Sequence, residues 1–280
     1  MTLSGRARLA GVMGWPVAHS LSPRLHGYWL RHYGIDGAYV PLPVRPERLG
    51  SALRALPDLG FAGCNLTVPH KEAALGALDE VAEDARRIGA VNTILVRADG
   101  SLYGWNTDIE GFAQSLIAAL PEWSIAGKHA VVLGAGGAAR AVVAAVQNLG
   151  AEEVVILNRT RERAEALATD LGEAIRPLSW ERRSEALSQA ALLINTTTLG
   201  MLGKPPLSID LAPLPTDAVV ADIVYAPLET PLLAEARRRG HRVVDGLGML
   251  LYQAVPGFEA WFGRRPEVTP ALRDFVLAPS

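Results

Sequence analysis

One stretch near the middle of the chain constrains its fold more than any other. Residues 130–133 are apolar and predict a buried strand, and glycine follows at once. Residues 138–149 are rich in Ala and Val without proline, which predicts a buried helix that ends at Gly150. A second strand is predicted at 154–157, so the stretch forms one βαβ unit of about 30 residues. The chain is therefore expected to contain a parallel α/β sheet.

The turn of this unit has the spacing G-x-G-x-x-A, with Gly134, Gly136 and Ala139 at the fixed positions. In dinucleotide sites the first glycine permits a tight turn, the second lets a pyrophosphate approach, and the small third residue packs helix on strand. The helix N-terminus also offers free N–H groups and a partial positive charge to phosphate. A plain βα turn is the alternative, but the whole unit favours a dinucleotide site.

The residues after the second strand distinguish between cofactors. Residues 158–163 are Asn-Arg-Thr-Arg-Glu-Arg. An NAD site usually has an acid there for the ribose 2′-hydroxyl, and a site for adenosylmethionine in a methyltransferase also favours one. Three arginines instead suit a 2′-phosphate, because guanidinium binds phosphate through paired N–H groups. The alternative is that these arginines only form the solvated start of a helix. We favour the phosphate site and expect NADP (NADPH) as the cofactor.

Composition limits the class of protein. The 280 residues allow one large or two ordinary domains, and 49% apolar with 20% charged residues indicates a globular chain with a sizeable core. A net charge of −2 gives no field to attract nucleic acid or an acidic membrane. Cys64 is the single cysteine, and no apolar run reaches ~18 residues. We expect a reduced, cytoplasmic protein without a signal peptide or membrane span.

The first ~110 residues predict a second α/β layer before the nucleotide-binding unit. Strands are predicted at residues 9–13, 39–43, 61–68, 90–96 and 102–105. A helix is predicted from Ser22 to Tyr33, with Ser22 as its N-cap and Pro23 at the first helical position. Later elements are strands at 191–195, 218–223 and 242–244 and helices at 109–120, 164–171, 231–240 and 249–261, the last after a break at 246–248.

Polar clusters follow several strands of the first layer. These clusters are Asn65/Thr67/Lys71, Asn92/Thr93 and Asn106/Thr107/Asp108. Each alone could be a turn or a helix cap, but ligands bind beyond the carboxyl ends of strands in open α/β sheets. Together they offer hydroxyls, amides, one lysine and one carboxylate, which suits a small polyol and proton transfer to a carbonyl. His19, His26 and His70 are rival acids, and no metal-ligand spacing is present.

These residues also resemble a known family, the shikimate/quinate dehydrogenases. The matching stretches run in order over nearly the whole chain: His19–Pro23, Asn65–Lys71, Gly89–Thr93, Asn106–Asp108, the Gly134 loop, Asn158–Thr160, Asn195–Thr197 and Asp245–Met249 with Gln253. The resemblance implies an NADP-dependent shikimate dehydrogenase activity, the reversible reduction of 3-dehydroshikimate to shikimate in chorismate and aromatic amino acid biosynthesis.

The resemblance also implies an architecture. It has an N-terminal substrate-binding α/β domain, residues 1–108 plus 246–280, and a Rossmann-like NADP-binding domain, residues 109–245. The active site would lie in the interdomain cleft.

The same resemblance implies residue roles. Lys71 and Asp108 would be the catalytic pair, and no metal would take part. The implied substrate-binding residues are Ser20 and Ser22 for the carboxylate, with Thr67, Asn92, Tyr225 and Gln253. The implied cofactor-binding residues are Gly134, Ala135, Gly136, Gly137, Ala138, Asn158, Arg159, Thr160, Arg163, Thr196 and Gly246.

Small departures from the family pattern concern substrate preference. They are Gly27 after His26, Thr198 where serine is frequent, and Ile109-Glu110 after Asp108. Shikimate and quinate both stay open as substrates, and a monomer or homodimer is expected. A further alternative is a non-enzymatic regulator on the same fold that senses NADP or the substrate. Such a protein could lose its acid–base pair, and both Lys71 and Asp108 are present here.

Overall fold

The computed structural model describes residues 2–278, which form two compact α/β units. One unit contains the chain up to Thr107 together with the residues from Leu251 onward. The other is the continuous segment Asp108–Leu250. Each unit is built on its own sheet, so the predicted α/β fold with two sheets is confirmed.

The first unit alternates strands and short helices. Its elements are β1 (Arg8–Gly14), α1 (Ser22–His32), β2 (Gly37–Pro43), α2 (Leu49–Ala55), β3 (Phe61–Leu66), α3 (His70–Ala73), β4 (Glu80–Val81), α4 (Glu83–Ile88), β5 (Thr93–Val96) and β6 (Leu102–Trp105). Within the described residues these strands form a six-stranded sheet in the order β2-β1-β3-β5-β6-β4. β1 pairs in parallel with β2 and β3, whereas β5 is antiparallel to β3 and β6. The ends of β1, β3 and β6 therefore lie at the same edge of the sheet as the start of β5, and the predicted polar clusters belong to this edge.

The sequence prediction for this unit needs three corrections. The strand predicted to start at residue 90 begins at Thr93, and the Val91 N–H bonds outside the sheet, to the Lys71 carbonyl at 2.8 Å. Ser22 is the first helical residue of α1 and not its N-cap, which is Leu21, so the helix starts without a side-chain cap. The sequence also predicts one helix over residues 46–56, whereas the structure has a 3₁₀ turn at Pro46–Arg48 followed by α2.

The second unit repeats strand and helix more regularly. Its elements are α5 (Asp108–Ala119), β7 (His129–Leu133), α6 (Gly137–Asn148), β8 (Glu153–Leu157), α7 (Arg161–Leu171), β9 (Ile175–Leu178), α8 (Arg183–Leu187), β10 (Ala190–Asn195), β11 (Val219–Asp222), α9 (Pro231–Arg238) and β12 (Arg242–Val244). In the part of the chain described, the strands form an all-parallel sheet in the order β12-β11-β10-β7-β8-β9. Its central strands are fully buried, as expected for a parallel sheet covered on both faces.

This strand order places the predicted glycine loop at a functional position. Counted from β7, the order is the 3-2-1-4-5-6 order of dinucleotide-binding folds, and it reverses between β7 and β10. Ligands bind such sheets where the order reverses, beyond the carboxyl ends of the strands. The loops that follow β7 and β10 therefore form the candidate nucleotide site of this unit.

The last two helices are α10 (Gly246–Phe262) and α11 (Pro270–Leu277). The sequence prediction started α10 at Met249, after a break at three residues, and that start is wrong. Asp245 explains the earlier start, because its Oδ1 accepts a hydrogen bond from the Leu247 N–H at 3.1 Å and so caps the first turn. Among the described residues, no helix is both long enough and apolar enough to cross a bilayer.

The C-terminal part of α10 completes the core of the first unit. Trp261 is buried and its indole N–H donates to the carbonyl of Ile94 at 2.9 Å. Gly63 lies beside it with a φ of +154°, and a Cβ at that position would fall 2.3 Å from Trp261 Nε1 and 2.0 Å from the Ile94 carbonyl. A larger residue at position 63 would therefore displace the indole and disrupt β3.

His26 lies fully buried within an aromatic cluster of the first unit. Its ring stacks on Tyr39 with centroids 3.9 Å apart and planes within 5°, and it also contacts Trp29, Phe258 and Trp261. Both ring nitrogens lack a hydrogen-bond partner among the described residues. Burial accordingly lowers the pKa of His26 from 6.5 to about 3, so the ring is neutral in the folded protein.

This burial predicts a loss of stability in mild acid. The unfolded chain binds a proton at His26 below pH 6.5, while the folded chain does so only near pH 3. The unfolding free energy should therefore fall by about 2–3 kcal/mol between pH 7 and 4.5 through this residue alone. Urea unfolding of the wild type and His26→Phe at both pH values tests this. The variant should lose that much less stability on acidification, and equal losses would contradict a neutral buried His26.

Candidate functional site

The loop after β7 is shaped by Gly134. This residue has a φ of +113°, a region that side-chain-bearing residues rarely adopt, and a Cβ there would lie 2.7 Å from Thr196 Oγ1. Thr196 follows β10, and its hydroxyl donates to the Leu133 carbonyl at 2.7 Å. The ends of the two central strands are therefore tied together at the point where the strand order reverses.

The next residues leave an open face at the start of α6. A Cβ on Gly136 would meet nothing within 4 Å, so the backbone there is accessible. The first helical hydrogen bond is donated by the Arg140 N–H to the Gly136 carbonyl, so the N–H groups of Gly137 and Ala138 precede the bonded part of the helix. Together with Ala135, which is half-buried, these groups suit a pyrophosphate.

The turn after β8 presents free positive charge. Asn158 Nδ2 donates to the Thr160 carbonyl at 2.7 Å, which orders the turn before α7. Arg159 and Arg163 are exposed, and their side chains form no hydrogen bond or ion pair with any residue that the structure describes. Arg161 differs, because it pairs with Glu165 at 2.7 Å. Two guanidinium groups thus remain available for an anion beside β8.

Asn195 and Asp222 hold the loop after β10. Asn195 is fully buried, accepts from the N–H and hydroxyl of Thr197, and donates to Asp222 Oδ1 at 3.0 Å. Asp222 also accepts from the Val224 N–H and from the hydroxyl of Thr230, which caps α9. Burial raises the pKa of the Asp222 carboxyl, while these donors act in the opposite direction. The cluster fixes the backbone from which Thr196 projects.

In the first unit, strand ends supply a buried network of amides and hydroxyls. Asn92 lies at its centre: its Oδ1 accepts from the Thr107 N–H at 2.8 Å and from the Thr93 hydroxyl at 2.9 Å. Its Nδ2 donates to Thr107 Oγ1 at 3.0 Å and to Gln253 Oε1 at 3.4 Å. Gln253 comes from α10, so residues 161 positions apart meet here. The predicted substrate residues Asn92 and Gln253 are therefore brought together.

Ser20 and Ser22 lie at the start of α1 in the same unit. Ser20 Oγ accepts from the Ser22 N–H at 3.3 Å, and Ser20 is half-buried. Ser22 is 6% exposed and its hydroxyl bonds to the hydroxyl of Tyr39. The two serines thus have different surroundings, although the sequence suggests the same role for both.

The remaining predicted residues fall in both units. Thr67 follows β3, and Lys71 lies in the single turn of α3, where its carbonyl accepts from the Val91 N–H at 2.8 Å. Asp108 is buried and is the first residue of α5. It is also the first residue of the second unit. Tyr225 is half-buried after β11, and Gly246 is buried with a Cβ position 2.3 Å from the Ile223 carbonyl, so close packing requires glycine there.

The three histidines considered as rival acids have other surroundings. His70 Nε2 lies 2.8 Å from the Val44 carbonyl and donates to it. His26 is enclosed by aromatic rings, and His19 is exposed on the loop before α1. Since His70 has a structural partner and His26 is enclosed, these two are disfavoured as proton donors.

Sequence reasoning did not identify Tyr39 and Asp222. Tyr39 is a buried phenol on β2 whose partners are distant in sequence, and nothing local marks it. Asp222 ends β11 as an acid after an apolar run, which is the same strand-end signal that singled out Asp108. That signal could have identified Asp222.

Comparison with known proteins gives consistent matches along the chain. Residues 12–94 match the model of the shikimate dehydrogenase substrate binding domain, 116–200 that of shikimate / quinate 5-dehydrogenase, and 246–273 that of the shikimate 5′-dehydrogenase C-terminal domain. A curated relative, the shikimate dehydrogenase (NADP(+)) of Paramagnetospirillum magneticum, is 60% identical over 99% of this chain and 100% of its own.

Solved structures are similar in fold as well. The shikimate 5-dehydrogenase of Thermus thermophilus, in complex with NADP(H) and shikimate, is 39% identical with a TM-score of 0.85, covering 96% of this chain and 98% of its own. The quinate dehydrogenase of Corynebacterium glutamicum, in complex with NAD, is 33% identical with a TM-score of 0.89, covering 97% and 99%.

Proposed function

The chain belongs to the shikimate dehydrogenase family, and from that premise we propose that it reversibly reduces 3-dehydroshikimate to shikimate with NADPH. Similarity to relatives named for this reaction supports the substrate. The structural observation that supports NADP as the cofactor is the open glycine loop after β7, followed after β8 by Arg159, which has no partner among the described residues. The reaction belongs to chorismate and aromatic amino acid biosynthesis.

The residues of the second unit fit NADP. Gly134 permits the turn, the N–H groups at the start of α6 would bind the pyrophosphate, and Arg159 with Arg163 would bind the 2′-phosphate. Asn158, Thr160, Thr196 and Gly246 would shape the same site. When bound, NADPH supplies the hydride for carbonyl reduction.

The residues of the first unit would bind and orient the substrate. Ser20 and Ser22 offer hydroxyls to its carboxylate, while Thr67, Asn92 and Gln253 offer hydroxyl and amide groups to the ring hydroxyls. Tyr225, which the family resemblance implies as a substrate ligand, belongs to the second unit. Reduction of a carbonyl needs a proton at its oxygen, and we assign its donation to Lys71. Asp108 would orient that lysine and accept from a ring hydroxyl, and in the oxidation direction the proton returns.

The test is a spectrophotometric assay at the absorbance band of the reduced nicotinamide. Purified protein with shikimate and NADP should produce NADPH, and it should do so faster with shikimate than with quinate. The absence of turnover with either acid would contradict the proposal and favour a sensing protein on the same fold. Faster turnover with quinate would make quinate the substrate. A cytoplasmic location and a monomeric or homodimeric state stay predictions.

The serines give a separate prediction. Ser20→Ala and Ser22→Ala should each weaken shikimate binding by about ten-fold or more, because each loses a hydrogen bond to a charged carboxylate. An analogue that lacks the carboxylate should be bound equally by wild type and variants. Steady-state KM values for both compounds provide the measurement. Equal losses for the two compounds would restrict the serines to shaping the start of α1.

A further inference from the structure

Tyr39 of β2 occupies a central place in the first unit. It is 6% exposed, and its ring is held flat against His26 at 3.9 Å. Its hydroxyl lies 2.6 Å from Asn65 Oδ1 and also bonds to the hydroxyl of Ser22. One phenol oxygen therefore contacts both the start of α1 and the end of β3.

The direction of each hydrogen bond follows from the donors available. Burial raises the pKa of Tyr39 well above its usual range, so the phenol keeps its proton. Asn65 Nδ2 donates to the Asn92 carbonyl at 3.1 Å and to Thr93 Oγ1 at 3.1 Å, so Asn65 presents its oxygen to the phenol. The single phenol proton is thus given to Asn65, and Ser22 donates its own proton to the phenol oxygen.

The chain of bonds continues from Asn65 to Asn92. The Thr93 hydroxyl accepts from Asn65 and donates to Asn92 Oδ1 at 2.9 Å. That bond leaves Asn92 Nδ2 as the donor toward Thr107 and Gln253. The orientation of the Asn92 amide is therefore linked, through three buried side chains, to the hydroxyl of Ser22.

We propose that Tyr39 is a positioning residue that couples the carboxylate-binding serine to the ring-binding amide of Asn92. The inference rests on the proposed function, since it takes Ser22 and Asn92 as substrate ligands. When a carboxylate binds, the Ser22 proton turns from the phenol to the carboxylate, and the bond from Tyr39 to Asn65 stays in place. The stacked His26 ring, which has no hydrogen bond of its own among the described residues, holds the phenol in the required plane.

The test uses Tyr39→Phe, which keeps the ring and removes the hydroxyl. The KM and the calorimetric Kd for shikimate should rise by about 3- to 10-fold, because Asn65 loses the hydrogen bond that orients it and, through Thr93, the amide of Asn92. The KM for NADP should stay unchanged, because the described partners of Tyr39 all belong to the first unit. The matched control is Tyr28→Phe on the same unit, whose ring contacts His32 and Phe275, and which should leave both constants unchanged.

A double variant tests the coupling itself. If Tyr39 acts through Ser22, the double variant should lose less affinity for shikimate than the product of the losses measured for Tyr39→Phe and Ser22→Ala alone. Thr93→Val breaks the chain between Asn65 and Asn92 without altering Tyr39, and it should raise the KM for shikimate in the same way. If Tyr39→Phe does not fold, the KM for shikimate of Thr93→Val tests the proposal instead, and an unchanged value would contradict it.

Three results would overturn the proposal. The first is an unchanged KM for shikimate in Tyr39→Phe. The second is an equal rise in the KM for shikimate and for NADP in that variant, which would indicate a general loosening of the structure. The third is a loss of shikimate affinity in the double variant that equals the product of the two single losses. Failure of the proposed function would be distinguished, because wild-type protein would then neither bind nor oxidise shikimate.

Discussion

Replacing Lys71 with alanine should lower kcat for shikimate oxidation by about 10²–10⁴-fold, which is the usual contribution of a general acid or base. The side chain comes from the single turn of α3, and the backbone at Lys71 is fixed by the hydrogen bond from Val91. The substitution should therefore remove the amine and leave the local structure intact. Steady-state kcat and KM for both substrates measure the effect.

Lys128→Ala is the matched control, because Lys128 is exposed and lies over the Trp123 ring outside the predicted site. It should leave kcat unchanged. A rise in KM with kcat near the wild-type value in Lys71→Ala would make Lys71 a binding group and remove it from proton transfer. Asp108→Ala and the double variant then test the pair, since losses that simply multiply would show that the two residues act independently.

Replacing Arg159 with alanine should raise the KM for NADP by about 10- to 150-fold, the effect of losing a charge-assisted hydrogen bond to phosphate. The KM for NAD should hardly change, because NAD has no 2′-phosphate. The guanidinium of Arg159 is exposed and has no partner in the part of the chain that the structure describes, which is the reason for the expected size of the effect. Kinetics with both cofactors on wild type and variant give the ratio directly.

Arg161→Ala provides the control two residues further on. Arg161 is exposed like Arg159, but it already pairs with Glu165, so its loss should leave the preference for NADP over NAD intact. If Arg159→Ala treats NADP as the wild type does, another group binds the phosphate, and Arg163 is the next residue to replace.

Local sequence signals predicted the second unit well. The strand, glycine turn and helix around Gly134 follow from apolar runs and from a backbone conformation that glycine alone adopts easily. The regular alternation of strand and helix then leads to a parallel sheet. Short elements were missed: β4 has two residues and α8 has five, too few to show a period.

Contacts between distant residues were beyond reach of the sequence pattern. Ser22 looked like a helix cap because it precedes proline, but its hydroxyl is taken by Tyr39. The bond from Tyr39 to Asn65 joins residues 26 positions apart, and Asn92 meets Gln253 across 161 positions. The residues at strand ends could be named from the sequence, whereas the network that orients them depends on the packing of elements that are far apart in the chain.

The discontinuous composition of the first unit has a consequence for protein synthesis. Its sheet is made from the first 107 residues, yet Trp261, which fills the space beside Gly63 and bonds to β5, is synthesised only after the whole second unit. The segment Asp108–Leu250 is continuous and can fold as soon as it emerges. The part translated first should therefore mature second, and it must be kept from aggregating until translation of α10 is complete.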